Sequence, residues 1–104
     1  MKFIFQVRVK PGRTAQEYAA SWVRASEIIQ KAPGARGTQL HRKIGDPNVL
    51  LAIASWESKA ARDARDKFLK PDAAMRAVLE EHFDIVDFIP IGEFEDPEWV
   101  VNPP

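Results

Sequence analysis

The sequence contains no cysteine, which excludes disulfides, thiolate metal sites and a cysteine nucleophile. Histidine is scarce too. The two histidines, His41 and His82, stand far apart, and no carboxylates cluster on one predicted face, so no metal-ligand spacing emerges. Glycine is sparse at five residues in 104 and forms no phosphate-cradling loop, which argues against a nucleotide cofactor. The longest purely apolar run, Val49 to Ala54, is far too short to span a bilayer. The opening "MKFIFQVRVK" alternates and ends in charge, unlike the continuous apolar centre of a secretory signal peptide. We expect a cytoplasmic protein without metal, cofactor or membrane contact.

What is present is ordinary for one globular domain. Hydrophobic residues make up 45% and charged residues 29% of the 104 positions. A chain of this size buries roughly two-thirds of its unfolded surface, enough for a single core. Net charge is zero but segregated, with nine basic and three acidic residues up to position 52, and six and twelve thereafter. The basic residues are dispersed and no aromatic-basic signature accompanies them, so nucleic-acid binding is not favoured. An acidic last strand lying beside a basic first strand would gain cross-strand pairs.

Hydrophobic periodicity orders the chain. Residues 2–10 alternate, with Phe3, Phe5, Val7 and Val9 on one face, and predict a strand. Pro11-Gly12 ends it, and Thr14 with Glu17 forms a capping box opening a helix whose core stripe is Tyr18, Trp22, Ala25 and Ile29. "APG" at 32–34 closes that helix. Residues 36–45 read as a more polar edge strand, "GDPN" at 45–48 as a hairpin turn, and 49–56 as a central strand apolar on both faces. Ser58 is the expected N-cap of a second helix with Ala61, Ala64, Phe68 and Leu69 inward; Pro71 breaks or restarts it, with Asp72 in the new first turn. The second piece buries Ala74, Met75, Val78 and Leu79, and residues 84–92 form a last strand whose Pro90 argues for an edge or strand end.

The order β, α, β, β, α, β predicts an α+β, ferredoxin-like fold: a four-stranded antiparallel sheet, strands one and three central, with two helices on one face. The other face carries apolar third-strand residues that would form a large patch in water, and a second copy of the chain is the expected cover. We expect the domain to occupy residues 1–92, with an acidic tail, 93–104, whose Phe94 and Trp99 dock on the domain or on the partner subunit.

Pro33-Gly34, "GTQLHRK" with Leu40 and Arg42, and an apolar strand ending in "WESKAA" resemble the antibiotic biosynthesis monooxygenase domain of the dimeric α+β barrel superfamily. The resemblance runs from Met1 to about Gly92. It implies a homodimer with a small-molecule cleft between helices and sheet in each subunit. Family members include cofactor-free oxygenases of quinol-like aromatic polyketides, quinol oxidases and haem-degrading enzymes. The last use an Asn, a Trp and a His where an ungapped alignment places Val7, Phe68 and Val78, so haem degradation is disfavoured.

Oxidising a hydroxylated aromatic with dioxygen alone needs a dry pocket and a group that helps form the phenolate. His41 beside Arg42 could supply charge, although both could equally be solvent-facing on an edge strand. Tyr18 is either core or a hydrogen-bond donor to substrate. These are the candidate catalytic residues, and Phe5, Val7, Trp22, Phe68, Met75 and Val78 are the candidate pocket lining. His82 follows Glu80 and Glu81 at a helix end and is read as a dipole partner. Arg8 is read as paired with Asp87 on the fourth strand or with the partner subunit. Two functions remain open: a cofactor-independent monooxygenase, or a non-catalytic dimeric barrel that binds a small hydrophobic ligand or serves as an interaction module. A base or donor inside the cleft favours the first.

Overall fold

The computed structural model of the protein describes residues 1–69 and 73–104, without the side chains of Phe68, Leu69 and Ala74. Expectations for those three side chains, and for Pro71 and Asp72, lie outside the described residues. The elements are β1 (Lys2–Val9), α1 (Ala15–Ile29), β2 (Ala35–Lys43), β3 (Asp46–Trp56), α2 (Lys59–Leu69), α3 (Ala73–Ile85) and β4 (Val86–Phe94). Strand order is β2-β3-β1-β4, all antiparallel, so the two most apolar strands are central. This is the α+β ferredoxin-like arrangement, with α2 and α3 forming its second helical region.

Local chemistry sets the boundaries. The Thr14 hydroxyl accepts from the Glu17 N–H at 3.1 Å while the Glu17 carboxylate accepts from the Thr14 N–H at 3.0 Å, closing the capping box. Ser58 caps α2 by accepting from the Ala61 N–H at 3.1 Å. The hairpin turn falls two residues earlier than its composition suggested. Lys43 pairs with Asp46, so Ile44 and Gly45 form the loop, Gly45 at φ 90°. Pro47 and Asn48 instead belong to the start of β3, where the register slips between Arg42 and Lys43 and the strand bulges. α3 also runs past the expected start of the last strand, because Ile85 is still buried in the helical stripe with Met75, Val78 and His82. Pro90 lies on β4, an edge strand, opposite Phe5 and next to the register shift between Ile4 and Phe5, the kind of place where a strand accepts a residue without an N–H.

Register assigns the faces. Phe3, Phe5 and Val7 oppose Ala54, Ala52 and Leu50, and this side meets the helices. The main core joins Val7, Val9 and Leu50 to Ala15, Tyr18, Ile85 and Val86. A second cluster surrounds Trp56 with Met1 and Ala32. Here the words that carried the family resemblance meet: the Gly34 carbonyl accepts from the Glu57 N–H at 2.8 Å, and the Gly34 backbone abuts the Ala61 side chain. On the far side of the sheet, Ile4, Gln6 and Arg8 lie beside Ile53, Leu51 and, from β4, Ile89, and no described helix packs there.

Arg8 makes a 3.5 Å ion pair with Asp46 across the exposed face, while Asp87 is its register partner on β4. From α2, the Arg62 guanidinium sits 3.9 Å above the Phe3 ring and pairs with Glu93 at 3.2 Å, holding the helix against the sheet. Among the described residues no helix is long and apolar enough to cross a membrane.

Candidate active site

Small residues open a space between α1, α3 and the sheet. Ala25 of α1 and Ala54 of β3 leave a cavity of about 260 Å³ between Phe3, Phe5, Trp22 and Phe88. Trp56 forms one of its walls, which makes the tryptophan a packing anchor that also shapes the space. Phe5 and Phe88 stack at 4.9 Å between centroids, so aromatic faces dominate the lining. The volume lies just below the roughly 300–1,000 Å³ of common small-molecule sites, which suits a compact ligand.

Six polar or charged side chains line this space, Ser26, Gln30, Thr38, Arg65, Tyr18 and His82, and the last two decide its chemistry. The Gln30 carbonyl is engaged, accepting from the Gly37 N–H at 2.8 Å, and the Thr38 hydroxyl donates to the Ile53 carbonyl at 3.2 Å. Arg65 pairs with Asp66 at 3.3 Å. Tyr18 and His82 differ. Their exposures are 0% and 5%, and among the described residues neither the Tyr18 hydroxyl nor the His82 Nε2 has a hydrogen-bond partner. Each such buried orphan costs about 1–3 kcal/mol relative to a satisfied group. The two rings are neighbours, 5.3 Å between centroids and inclined at 58°.

Burial tunes both groups the same way, toward neutrality. Burial pushes the Tyr18 hydroxyl well above its ordinary value of 10, so it remains a donor. Burial lowers His82 below its ordinary 6.5; the Ser21 backbone and Glu81 act upward and Arg24 downward without reversing this. A neutral imidazole offers one acceptor nitrogen.

The residues expected from sequence distribute unevenly. Tyr18, Phe5 and Trp22 line the cavity. Val7 is fully buried in the core beside it, while Met75 and Val78 are not part of its wall, and the side chain of Phe68 lies outside the described residues. His41 and Arg42 are exposed and do not line it either. As strand neighbours they point to opposite faces: Arg42 pairs with Leu50 on the helix side, at a shallow recess near Arg13 and Asn48, and His41 pairs with Leu51 on the open side. His82, expected as a dipole partner at the helix end, lines the cavity instead. Its signal was the spacing Met75, Val78, His82, Ile85, which puts a histidine inside an apolar stripe and outweighs its place near the helix end.

The family model for antibiotic biosynthesis monooxygenase matches residues 1–70. The chain belongs to that family. Two solved structures illustrate the likeness. SnoaB, a cofactor-independent oxygenase from Streptomyces nogalater, superposes with a TM-score of 0.74 at 14% identity, covering 92% of each chain. A protein from Bordetella bronchiseptica described as a candidate antibiotic biosynthesis monooxygenase gives 0.72 at 20% identity, covering 94% of this chain and 96% of its own. At such identities the likeness speaks for the fold. No curated protein sequence matches the chain. Within the monooxygenase family fold, the cavity occupies the space between helices and sheet.

Proposed function

We propose that the chain is a cofactor-independent monooxygenase that oxidises a compact hydroxylated aromatic or quinol with dioxygen. The observation that carries this reading is the aromatic-lined cavity holding a donor, Tyr18, and a nitrogen acceptor, His82, both deprived of water. Family membership and the oxygenase activity of SnoaB support the same class. In such a reaction the substrate supplies every electron. A ring methylene conjugated to a phenolate becomes a carbonyl, and its two hydrogens leave with the second oxygen atom as water. The protein's part is to bind the ring between Phe3, Phe5, Trp22 and Phe88, to exclude bulk water and to favour the phenolate. A homodimer formed through the open face of the sheet completes the proposal, because that face carries the exposed Ile89 and the half-buried Ile4, Leu51 and Ile53 beside no described helix.

Oxygen uptake with a panel of quinols, anthrones and naphthols tests the activity. We expect uptake dependent on the protein with at least one anthrone or quinol, and retention of uptake after metal chelation. Tight binding of the panel without any oxygen consumption would replace the enzyme by a ligand-binding barrel.

A further inference from the structure

Tyr18 and His82 come from different helices, α1 and α3, yet both orphaned atoms belong to side chains of one cavity wall. A hydroxyl on an aromatic ring answers both needs at once. Its O–H donates to an imidazole nitrogen, and its oxygen accepts from a tyrosine hydroxyl. Among the described lining residues His82 supplies the one neutral basic nitrogen. The Gln30 carbonyl and the Thr38 hydroxyl have backbone partners, the half-buried Ser26 carries no base, Arg65 is a cation, and His41 sits on the opposite side of the sheet.

We propose that His82 is the general base of this cavity, its Nε2 taking the proton of a bound phenolic hydroxyl while the Tyr18 hydroxyl donates to the oxygen left behind. The electron pair of the broken O–H bond stays on the substrate oxygen, and the products of the step are a phenolate and an imidazolium. That phenolate is the electron-rich species that dioxygen, the oxidant of the proposed reaction, consumes. The inference rests on reading the cavity as a site for hydroxylated aromatics. Burial keeps the free imidazole neutral, which leaves a nitrogen lone pair open to a donor, and the phenolate formed beside it offsets the cost that burial places on the imidazolium. The titratable and charged groups around it are Tyr18 and Arg24 on α1, Glu81 on α3 and Arg65 on α2; the sheet side contributes Phe5 and Phe88, without charge. Arg65 favours an anion in the cavity.

The test uses 2-naphthol, whose near-ultraviolet absorption separates its neutral and ionised forms, with the intact protein and with His82→Gln and Tyr18→Phe. We expect naphthol bound near neutral pH to be largely ionised by the unaltered protein, roughly tenfold less ionised at the same pH in His82→Gln, and intermediate in Tyr18→Phe. Nitrogen-15 shifts of the unaltered protein provide a readout that needs no variant to fold: the His82 ring should pass from neutral to imidazolium when naphthol binds. Naphthol bound in its neutral form, equal ionisation in His82→Gln, or a ring that stays neutral beside an ionised ligand overturns the base assignment alone. Absence of naphthol binding overturns the underlying reading of the cavity, and this inference with it.

Discussion

Tyr18 and His82 hold polar atoms away from water with no partner among the described residues, an arrangement that lowers the stability of the free protein. Removing the phenolic oxygen while keeping the ring should therefore leave stability unchanged or raise it. Tyr18→Phe is expected to shift urea unfolding by between zero and about 1 kcal/mol in the stabilising direction; a loss above about 1 kcal/mol would mean that the hydroxyl is bonded in solution. His82 gives a pH signature whose sign follows from its direction of shift. Its folded value lies below the ordinary 6.5, so between the two values the unfolded chain binds more protons than the folded one. Stability contributed by the neutral ring is thus complete above about pH 6.5 and is lost as pH falls through the folded value. Melting temperatures from about pH 5 to 7.5 should fall toward acid in the unaltered protein and flatten in His82→Gln; identical profiles would exclude a buried neutral imidazole. Tyr18 was legible in the helical stripe at positions 18, 22, 25 and 29. His82 was present in the same kind of pattern, but its nearness to Glu80 and Glu81 favoured a surface explanation. His41 and Arg42 drew notice as neighbours in sequence, although strand geometry separates neighbours onto opposite faces.

At the scale of elements, two junctions orient the cavity walls. The capping box fixes the start of α1 one turn ahead of Tyr18, and Thr14→Ala should cost about 0.5–2 kcal/mol in chemical unfolding. The second junction joins the segment after α1 to the start of α2. A Cβ on Gly34, at φ 85°, would meet the Ala61 Cβ at 2.6 Å, whereas one on Gly37, at φ 94°, meets nothing within 4 Å. Both alanine variants carry the backbone penalty of a left-handed conformation, about 1–2 kcal/mol, and Gly34→Ala adds the steric clash. We expect Gly34→Ala to be the more destabilising by about 1–3 kcal/mol; equal losses would mean that α2 moves away at little cost. These elements were readable because each announces itself locally, by a cap, a proline or a period. The ends of β2 and β4 were not. Gly45 and the bulge at Pro47 rearranged a turn whose residues read as one unit, and burial of Ile85 prolonged a helix into residues that also alternate like a strand.

At the scale of the whole molecule, no described helix covers one side of the sheet, and the pattern behind this was visible in a third strand apolar on both faces. Ile53 marks the centre of that side, paired with Ile4 on β1 and with Gln39 on β2, while Ile89 on the neighbouring edge strand is 44% exposed. If a second copy covers this face, its apolar centre carries the binding energy and its charged rim sets the register. Arg8, exposed and paired with Asp46 at 3.5 Å, belongs to the rim. The acidic tail adds a second contribution. Trp99 is 87% exposed and Val101 97%, so within one chain they gain nothing from burial, whereas docking on a partner would bury them. Sedimentation at micromolar concentration should show a dimer. Ile53→Lys, whose side chain projects away from the core, should yield a folded monomer, raising the dissociation constant at least about a hundredfold as for a central interface residue. Trp99→Ala should weaken the dimer by a smaller factor without altering the unfolding of the monomeric Ile53→Lys background. A dimer indifferent to Ile53→Lys would place the interface elsewhere, and a Trp99→Ala effect that persists in the monomeric background would dock the tail on its own domain.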